Sequence, residues 1–402
     1  MKVLVVSEPG VDGVFRYVES LCHFLIEHDV EVNLAYSDRR ACDRLYMLVR
    51  WIEERGGETV NLHTGNRPAL SDLNALQSLY KLARKLQPDV IHSHSSKAGA
   101  LARILPCFGI KAVQFYNPHA YVGMRPQAGK FDWLYNFIEG QLGRRNRTIV
   151  SSTDEKKFAR QRLGIPAARI HHLPNGVDTD VFSPVSHEEK CRLREKLGLP
   201  VSRPILGFIG RSSAQKDPLT LYRAFMKVAK KNPVVLFHVG RGELDAELDA
   251  LVESSDMSAR VHRVPYMSTP ADFYRVVDGF ILTSRYEGFS IAALEAISAN
   301  LPVILSQSPG NMDLLAQPLS HAWSARIGDV DGFAFGIEEW FSAIQSPKPI
   351  NHRQIASAEY DQQEKFGILL GLYHDLAGTG SSRVPATSDA LPSFLPQEKL
   401  SR

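Results

Sequence analysis

Two glutamates eight positions apart bracket a predicted turn into a helix in the second half of the chain. Glu287 follows an apolar strand that ends at Ser284, and Glu295 lies inside a helix that begins near Ser290, the predicted N-cap. A helix N-terminus favours an anion such as a diphosphate, and Gly288 lets the backbone approach it. Because Glu295 lies ~7–8 Å along the helix axis, the two carboxylates could accept hydrogen bonds from hydroxyl groups at both ends of a diphosphate. A plain strand–turn–helix unit with one buried and one solvated glutamate would give the same pattern.

Two cations follow another predicted strand. The run GFIGRSSAQKDP, residues 207–218, places Arg211 and Lys216 in a loop at the end of that strand. Positive charges there would neutralise a leaving phosphate, although solvated loop cations would look the same in sequence. The run lacks the Gly-Lys-Ser/Thr of a phosphate-binding P-loop.

The N-terminal half offers further strand-end residues. Gly10 and Gly13 follow the first strand without completing a dinucleotide fingerprint, so they predict either a ligand-binding turn or an ordinary strand-to-helix turn. His119 follows a later strand, where it could position a sugar hydroxyl or a phosphate, or serve the packing alone. His92 and His94 end a third strand, but no third metal ligand is near them in sequence.

Two Asp-x-Asp pairs have the composition of a divalent-cation site beside a nucleotide. They are Asp178 with Asp180, and Asp329 with Asp331. Both pairs occur in predicted turns, so we predict turn chemistry and no metal site.

Short apolar runs alternate with longer amphipathic stretches along the chain. In the first half, strands are predicted at residues 2–7, 30–36, 90–93, 112–116 and 148–151, and helices at 15–27, 73–86 and 131–144. In the second half, strands are predicted at 205–210, 234–239, 259–263, 279–284 and 302–306, and helices at 187–197, 219–230, 243–254, 291–299 and 359–376. This order predicts an α/β protein with two doubly wound, parallel-sheet domains facing across a cleft. Ligands would bind outside the carboxyl ends of the strands.

We predict an N-terminal domain at 1–185 and a C-terminal domain at 186–355. A helix at 356–377 would pack back toward the N-terminal domain, and the Gly/Ser/Pro-rich segment 378–402 would be a disordered tail.

The composition fits two soluble domains. The chain has 402 residues, 44% of them hydrophobic, and its net charge of +3 does not indicate nucleic-acid binding. No apolar run reaches the ~20 residues of a membrane span, and the opening MKVLVVSEPG is not a signal peptide, so we expect a cytoplasmic protein. The cysteines are too widely spaced for a zinc module or a disulfide framework; they are Cys22, Cys42, Cys107 and Cys191.

Taken together, the motifs resemble those of retaining, nucleotide-sugar-dependent glycosyltransferases of family 4, which have the GT-B fold. The resemblance covers residues 1–375 and rests on the order of FRYVESL after the glycine turn, DVIHSHSSKAG, HHLPNGVDTDVFSP, GRSSAQKDP and the paired glutamates. The chain departs from the family at Asn300, where a glycine is usual, and in the loop 308–313, which lacks the commoner glutamate.

The resemblance implies that the domain at 1–185 is the acceptor side and that the domain at 186–355 binds the nucleotide sugar. It also implies roles for the matching side chains. Arg211 and Lys216 would grip the diphosphate. Glu287 would contact hydroxyl groups of the donor sugar, and Glu295 would bind the ribose. His119 would lie near the donor sugar and the reaction centre, so the implied catalytic set is His119, Arg211, Lys216 and Glu287.

The resemblance also implies backbone contacts. Gly288, Phe289 and Ser290 would help to hold the sugar and phosphate. The loop from Gly10 to Gly13 would approach the donor phosphate and the acceptor.

The implied reaction transfers a hexose from a nucleotide diphosphate sugar to a hydroxyl of a glycan or lipid-linked sugar, with retention of configuration. It would need neither a metal nor a cofactor, and would serve the assembly of a surface polysaccharide. The cations Arg144, Arg145 and Arg147 follow an aromatic-rich stretch at 131–137. They would suit peripheral contact with the anionic inner face of the cell membrane, or would form an ordinary solvated helix end.

Three alternatives remain open at this point. Another GT-B-like enzyme, such as a nucleotide-sugar epimerase or a sugar phosphorylase, would release a free epimer or need inorganic phosphate. A non-catalytic partner subunit would keep the fold without the chemistry, although the retained set of charged residues argues against it. A nicotinamide dehydrogenase fits poorly because the glycine spacing fails.

Overall fold

The computed structural model describes residues 1–65, 68–125, 129, 131–267, 269–346 and 348–378. The segment 379–402, which makes up nearly all of the tail expected to be disordered, lies outside the described residues. Among the described residues no helix is both long and apolar enough to cross a membrane.

The first half of the chain forms a sheet of seven parallel strands. The strands are β1 (Lys2–Ser7), β2 (Glu31–Tyr36), β3 (Thr59–Asn61), β4 (Val90–His94), β5 (Val113–Asn117), β6 (Arg147–Val150) and β7 (Ile170–His172). The helices between them are α1 (Asp12–Glu27), α2 (Asp43–Glu53), α3 (Ser71–Leu86), α4 (Ser96–Arg103), α5 (Asp132–Gly143) and α6 (Thr153–Gln161). The strand order β3-β2-β1-β4-β5-β6-β7 reverses direction at β1, so the carboxyl ends of β1 and β4 flank a crevice.

The second half forms a six-stranded parallel sheet. Its strands are β8 (Ile205–Ile209), β9 (Val235–Val239), β10 (Val261–Val264), β11 (Gly279–Leu282), β12 (Val303–Ser306) and β13 (Ala322–Ala325). Its helices are α7 (His187–Lys196), α8 (Pro218–Ala229), α9 (Asp245–Glu253), α10 (Pro270–Val276), α11 (Ile291–Ser298), α12 (Met312–Leu315), α13 (Val330–Gln345) and α14 (His352–Glu359). The order β10-β9-β8-β11-β12-β13 reverses at β8.

Helices cover both faces of each sheet, which explains the unbroken apolar runs in the sequence. The four residues from Val3 to Val6 in β1 are all fully buried, rather than alternating between core and solvent. The same holds for β8, where Ile205, Leu206 and Phe208 are fully buried. The predicted pair of doubly wound, Rossmann-like α/β domains is therefore confirmed.

The last helix, α15 (Gln362–Ala377), returns to the first domain. Its apolar residues Phe366, Leu369 and Tyr373 are buried in the same core cluster as β1 and α1. Before it, the chain passes beside the first crossing between the domains: the Val177 N–H donates to the Tyr360 carbonyl at 2.8 Å, and the Gln362 N–H donates to the Val177 carbonyl at 3.1 Å. The two crossings are thus hydrogen-bonded to each other.

Several elements escaped the sequence patterns. The short strands β3, β7 and β13 were not predicted, because three or four residues at a sheet edge carry too little apolar periodicity. Helices α2, α4, α6, α10 and α12–α14 were also missed. The expected strand at 279–284 ends earlier, at Leu282, and the strand expected at 259–263 begins later, at Val261.

Candidate functional site

The turn between β11 and α11 lies at the carboxyl edge of the second sheet. Ser290 caps α11: its hydroxyl accepts the Ala293 N–H at 3.3 Å, as the sequence predicts. Glu287, ahead of this cap, is 8% exposed and receives the Lys216 ammonium at 2.6 Å. The Phe289 side chain is buried in the core, which leaves its backbone to line the turn. The Glu287 carboxylate, the Lys216 ammonium and the capped N-terminus of α11 therefore lie together.

Glu295 lies on the same helix but is neutralised from the other domain. The Arg16 guanidinium, from α1, donates to both of its carboxylate oxygens at 2.8 and 3.0 Å. The Tyr274 hydroxyl donates to one of them at 2.6 Å. Burial alone would lower the pKa of Arg16, but Glu295, Tyr274 and Asp12 together outweigh burial, and the pKa is raised. Burial, followed by the charge of Glu295, raises the pKa of Tyr274 well above its ordinary value.

Arg211 makes a second contact across the cleft. Its Nε lies 3.3 Å from the Asp12 carboxylate, and both side chains are about half exposed. Because the pair is solvated, it is weaker than the buried Arg16–Glu295 pair, and Arg211 can turn toward an incoming anion at little cost.

Opposite α11, the first domain presents the turn after β5. His119 and Ala120 both have positive φ angles, 52° and 84°, which non-glycine residues rarely adopt. The buried Glu155 holds this turn by accepting the Ala120 N–H at 2.6 Å and the Ser151 N–H at 2.7 Å. Burial raises the pKa of Glu155, and the hydrogen bonds from Ser151 and Ala120 partly offset that rise.

Gly288 touches this strained turn directly. A Cβ atom at Gly288 would lie 2.7 Å from the Ala120 nitrogen and 2.9 Å from the His119 carbonyl carbon. No side chain fits there, so glycine is required by the close approach of the two domains.

Three histidines stand together behind the turn. The ring of His94 stacks on that of His119 at 5.3 Å between centroids, and His92 lies 4.2 Å from His94. His92 is hydrogen-bonded at both nitrogens, to the Tyr373 hydroxyl and to the Asn117 carboxamide. Burial, with a smaller contribution from His92, lowers the pKa of His119 to about 3. The imidazole facing the cleft is therefore neutral at physiological pH.

The two glycines of the turn after β1, Gly10 and Gly13, lie in different environments. A Cβ atom at Gly10 would lie 2.8 Å from the Arg40 carbonyl oxygen and 2.6 Å from the Leu45 side chain, so Gly10 is needed for packing inside its own domain. Gly13 instead faces α11, where a Cβ atom would lie 3.4 Å from the Ile291 side chain.

The structure thus brings most of the predicted site residues to the two walls of one cleft. His119 and Gly13 are on one wall, and the other wall carries Arg211, Lys216, Glu287, Gly288, Phe289, Ser290 and Glu295; Gly10 is set back. Sequence reasoning assigned no role to Asp12, Arg16, Glu155 or Tyr274. The signal for Arg16 was its place one turn into the helix after Gly13, within the quoted FRYVESL run.

The first Asp-x-Asp pair lies in a turn, as predicted, whereas the second stands at the start of helix α13 rather than in a turn. Asp178 accepts the backbone N–H groups of Asp180 and Val181 at 3.1 and 3.0 Å. Asp329 caps α13, and Asp331 pairs with Lys227. In the described part of the chain, no group of three or more His, Cys, Asp or Glu residues could hold a metal ion.

Comparisons with known proteins agree with this arrangement. Residues 11–181 match the model of Glycosyltransferase Family 4, and residues 189–354 match that of Glycosyl transferases group 1. A UDP-Gal:alpha-D-GlcNAc-diphosphoundecaprenol alpha-1,3-galactosyltransferase of Escherichia coli is 28% identical over 274 residues, which are 67% of this chain and 70% of that protein.

Two solved structures share the fold. Sucrose-phosphate synthase from Thermosynechococcus elongatus superimposes with a TM-score of 0.77 at 20% identity, covering 94% of this chain and 100% of that one. Anabaena Alr3699/HepE in complex with UDP-glucose gives a TM-score of 0.77 at 19% identity, covering 92% and 100%. The two family matches adjoin each other along the chain, one in each domain, and the chain belongs to the group 1, family 4 glycosyltransferases of the GT-B fold.

Proposed function

We propose that this glycosyltransferase moves a hexose from a nucleotide diphosphate sugar to a hydroxyl of a glycan or lipid-linked sugar, and that the anomeric configuration is retained. The observation that carries the proposal is the turn before α11. There Lys216, Glu287 and a capped helix N-terminus lie together, directly against the His119–Ala120 turn of the other domain.

The donor would lie along this turn. Lys216 and Arg211 would neutralise the diphosphate, whose charge rises as the bond to the sugar breaks, and the backbone from Gly288 to Ser290 would hold the sugar and its phosphate. Glu287 would accept hydrogen bonds from sugar hydroxyls, and Glu295 would do so from the ribose once Arg16 gives way.

Retention would follow from attack on the face that the diphosphate leaves. The acceptor oxygen forms a bond to the anomeric carbon, the bond from that carbon to the phosphate oxygen breaks, and the acceptor proton passes to the departing phosphate. His119, neutral at physiological pH, would position a hydroxyl by hydrogen bonding rather than donate a proton as an acid. Water excluded between the domains could not hydrolyse the donor.

Relatives guide the choice of substrates. The Escherichia coli relative takes UDP-Gal and a diphosphoundecaprenol-linked GlcNAc by its name, and HepE was solved with UDP-glucose. We therefore propose a UDP-hexose donor and a lipid-linked sugar acceptor in the assembly of a surface polysaccharide. We propose that neither a metal nor a cofactor is required, since Arg211 and Lys216 supply the positive charge that the leaving group needs.

A lipid-linked acceptor would be met at the membrane. Helix α5 exposes large apolar side chains on one face, with Trp133 69% and Phe137 59% exposed, one helical turn apart. Leu134 and Ile138 extend this face, and Arg145 follows the helix. Aromatic side chains beside cations suit shallow contact with an anionic lipid surface, so we propose that α5 rests on the inner face of the cell membrane.

The decisive experiment offers UDP-, GDP- and ADP-hexoses to the full chain with diphosphoundecaprenol-linked GlcNAc, in the presence of a chelator. Proton NMR of the product reads its anomeric configuration. The proposal expects transfer with retention from a UDP-hexose and no effect of the chelator. An inverted product or loss of transfer on chelation would refute the corresponding part, and release of a free epimer would indicate an epimerase instead.

A further inference from the structure

A pocket of 610 Å³ lies in the first domain, away from the cleft. It is lined by residues at the amino ends of strands, among them Gln114 near the start of β5 and Arg147 at the start of β6, whereas the cleft lies at the carboxyl ends. The end of α5 and the segment after α4 complete its walls, through Leu142 and Cys107. Its volume is that of a small-molecule site.

The walls of this pocket are basic. Lys111, Arg145, Arg147 and Arg169 line it, and among the described residues that line it none is acidic. Arg147 donates to the Ala168 carbonyl at 2.8 Å, and no ion pair involves it among the described residues. Burial, together with the charge of Arg169, lowers the pKa of Arg147. Like charges held this close repel each other, and an anion between them would relieve the repulsion.

Three polar atoms of two buried side chains on the same walls have no hydrogen-bond partner among the described residues. They are the amide nitrogen and amide oxygen of Gln114, which is 5% exposed, and the Nη1 of Arg103, which is 3% exposed. The rest of the Arg103 guanidinium is satisfied, because its Nη2 pairs with Glu139 at 2.7 Å and its Nε donates to the Gly99 carbonyl at 2.9 Å. The three atoms are closed to solvent, so the cations, and not these atoms, are what a ligand in the pocket would meet.

We propose that this pocket is a second ligand site, which binds an organic phosphate. The phosphate would lie among Arg145, Arg147 and Arg169, whose guanidinium groups suit its oxygens. The phosphate belongs to a soluble small molecule or to a phospholipid headgroup, and the test separates these sources.

Cys107 lines the pocket and is exposed, so its alkylation reports on occupancy. The full chain, saturated with UDP to fill the donor site, is alkylated with iodoacetamide, and labelling of each cysteine is followed by mass spectrometry. Glycerol 3-phosphate is the soluble probe; vesicles of phosphatidylglycerol are the membrane probe, with phosphatidylcholine vesicles for comparison. At ten times the dissociation constant, Cys107 labelling should slow about tenfold. Cys42 and Cys191, outside the pocket, should react unchanged.

Protection by glycerol 3-phosphate identifies a soluble ligand, and protection by phosphatidylglycerol alone identifies a headgroup. The double variant Arg147→Gln/Arg169→Gln should abolish protection, because it removes two of the cations that would hold the phosphate. The double variant Arg160→Gln/Arg162→Gln removes two exposed charges from the same domain and should retain it. Absence of protection by either probe, or protection that survives Arg147→Gln/Arg169→Gln, would overturn the proposal.

Discussion

The two walls of the cleft differ in the charge of the side chains that they present. The wall from the second domain carries Arg211, Lys216, Glu287 and Glu295, each already paired with an opposite charge. The wall from the first domain presents the histidine stack, which burial keeps neutral. Its own charged residues, Asp12 and Arg16, are engaged only with the opposite wall.

This contrast separates two tasks. The second domain has its cations and acids in position before a donor arrives, which lowers the reorganisation needed for binding. In the proposed reaction the first domain offers a neutral imidazole, which meets a sugar without competing for the diphosphate. Because Arg16 pairs with Glu295 across the cleft, closing of the domains and the proposed binding of the ribose involve the same carboxylate.

The largest effect should come from lowering the pH, which reduces the unfolding free energy through the neutral histidines of the first wall. His92 and His94 are fully buried, and burial lowers the pKa of His92 to about 4 and that of His94 well below its usual range. Below the unfolded pKa of about 6.5, the unfolded chain binds protons that the native state cannot, so the unfolding free energy falls as pH falls and is fully present above that pKa. Between pH 6.5 and 5 the two residues should remove about 3 kcal/mol.

Urea unfolding at several pH values measures this loss. His94→Gln should reduce the dependence of the unfolding free energy on pH. His187→Gln, which changes an exposed residue, should leave that dependence unchanged. An equally steep profile in His94→Gln would show that the stack does not hold neutral imidazoles.

The next largest effect concerns the charged wall. Glu287→Gln should lower kcat/KM for transfer about 100-fold, because a hydrogen bond to a charged group contributes up to about 3 kcal/mol. Glu338→Gln, an exposed change in the same domain, is the control. Full turnover in Glu287→Gln would remove this residue from the site.

Where the walls touch, Gly288→Ala should lower kcat/KM about tenfold. The added methyl group overlaps the Ala120 nitrogen and the His119 carbonyl carbon, and relief of such overpacking costs about 1–3 kcal/mol. Gly367→Ala, in α15 with no atom near its new Cβ, should be harmless. Equal activity of the two variants would mean that turnover does not need this contact.

The smallest effect should come from the Arg16–Glu295 ion pair, which joins the two walls. Arg16→Gln removes the guanidinium charge that pairs with the buried Glu295 carboxylate across the cleft, so the unligated protein should open, with a slightly larger radius of gyration by small-angle scattering. Arg44→Gln breaks the pair with Glu19 inside one domain and should leave the radius unchanged. An unaltered radius of gyration in Arg16→Gln would show that this ion pair does not hold the two domains closed.

The sequence predicted the parts of this molecule that local patterns encode. Strand β1 matches its predicted bounds, and the Ser290 cap is where the residue types placed it, since both depend on neighbouring residues alone. The pairing of Arg16 with Glu295 could not be predicted, because it joins residues 279 positions apart through the relative placement of two domains. The positive φ of Ala120 could not be predicted either, since alanine rarely adopts one.

The return of α15 to the first domain gives the second domain two covalent attachments rather than one. Because Val177 is bonded to the backbone of Tyr360 and Gln362, these attachments lie side by side. Two adjoining connections permit the domains to rotate about an axis that passes through both connections. They resist a twist about the line that joins the two domains. A single proteolytic cut in either tether would leave both halves joined, and the direction of opening would be set by the chain path itself.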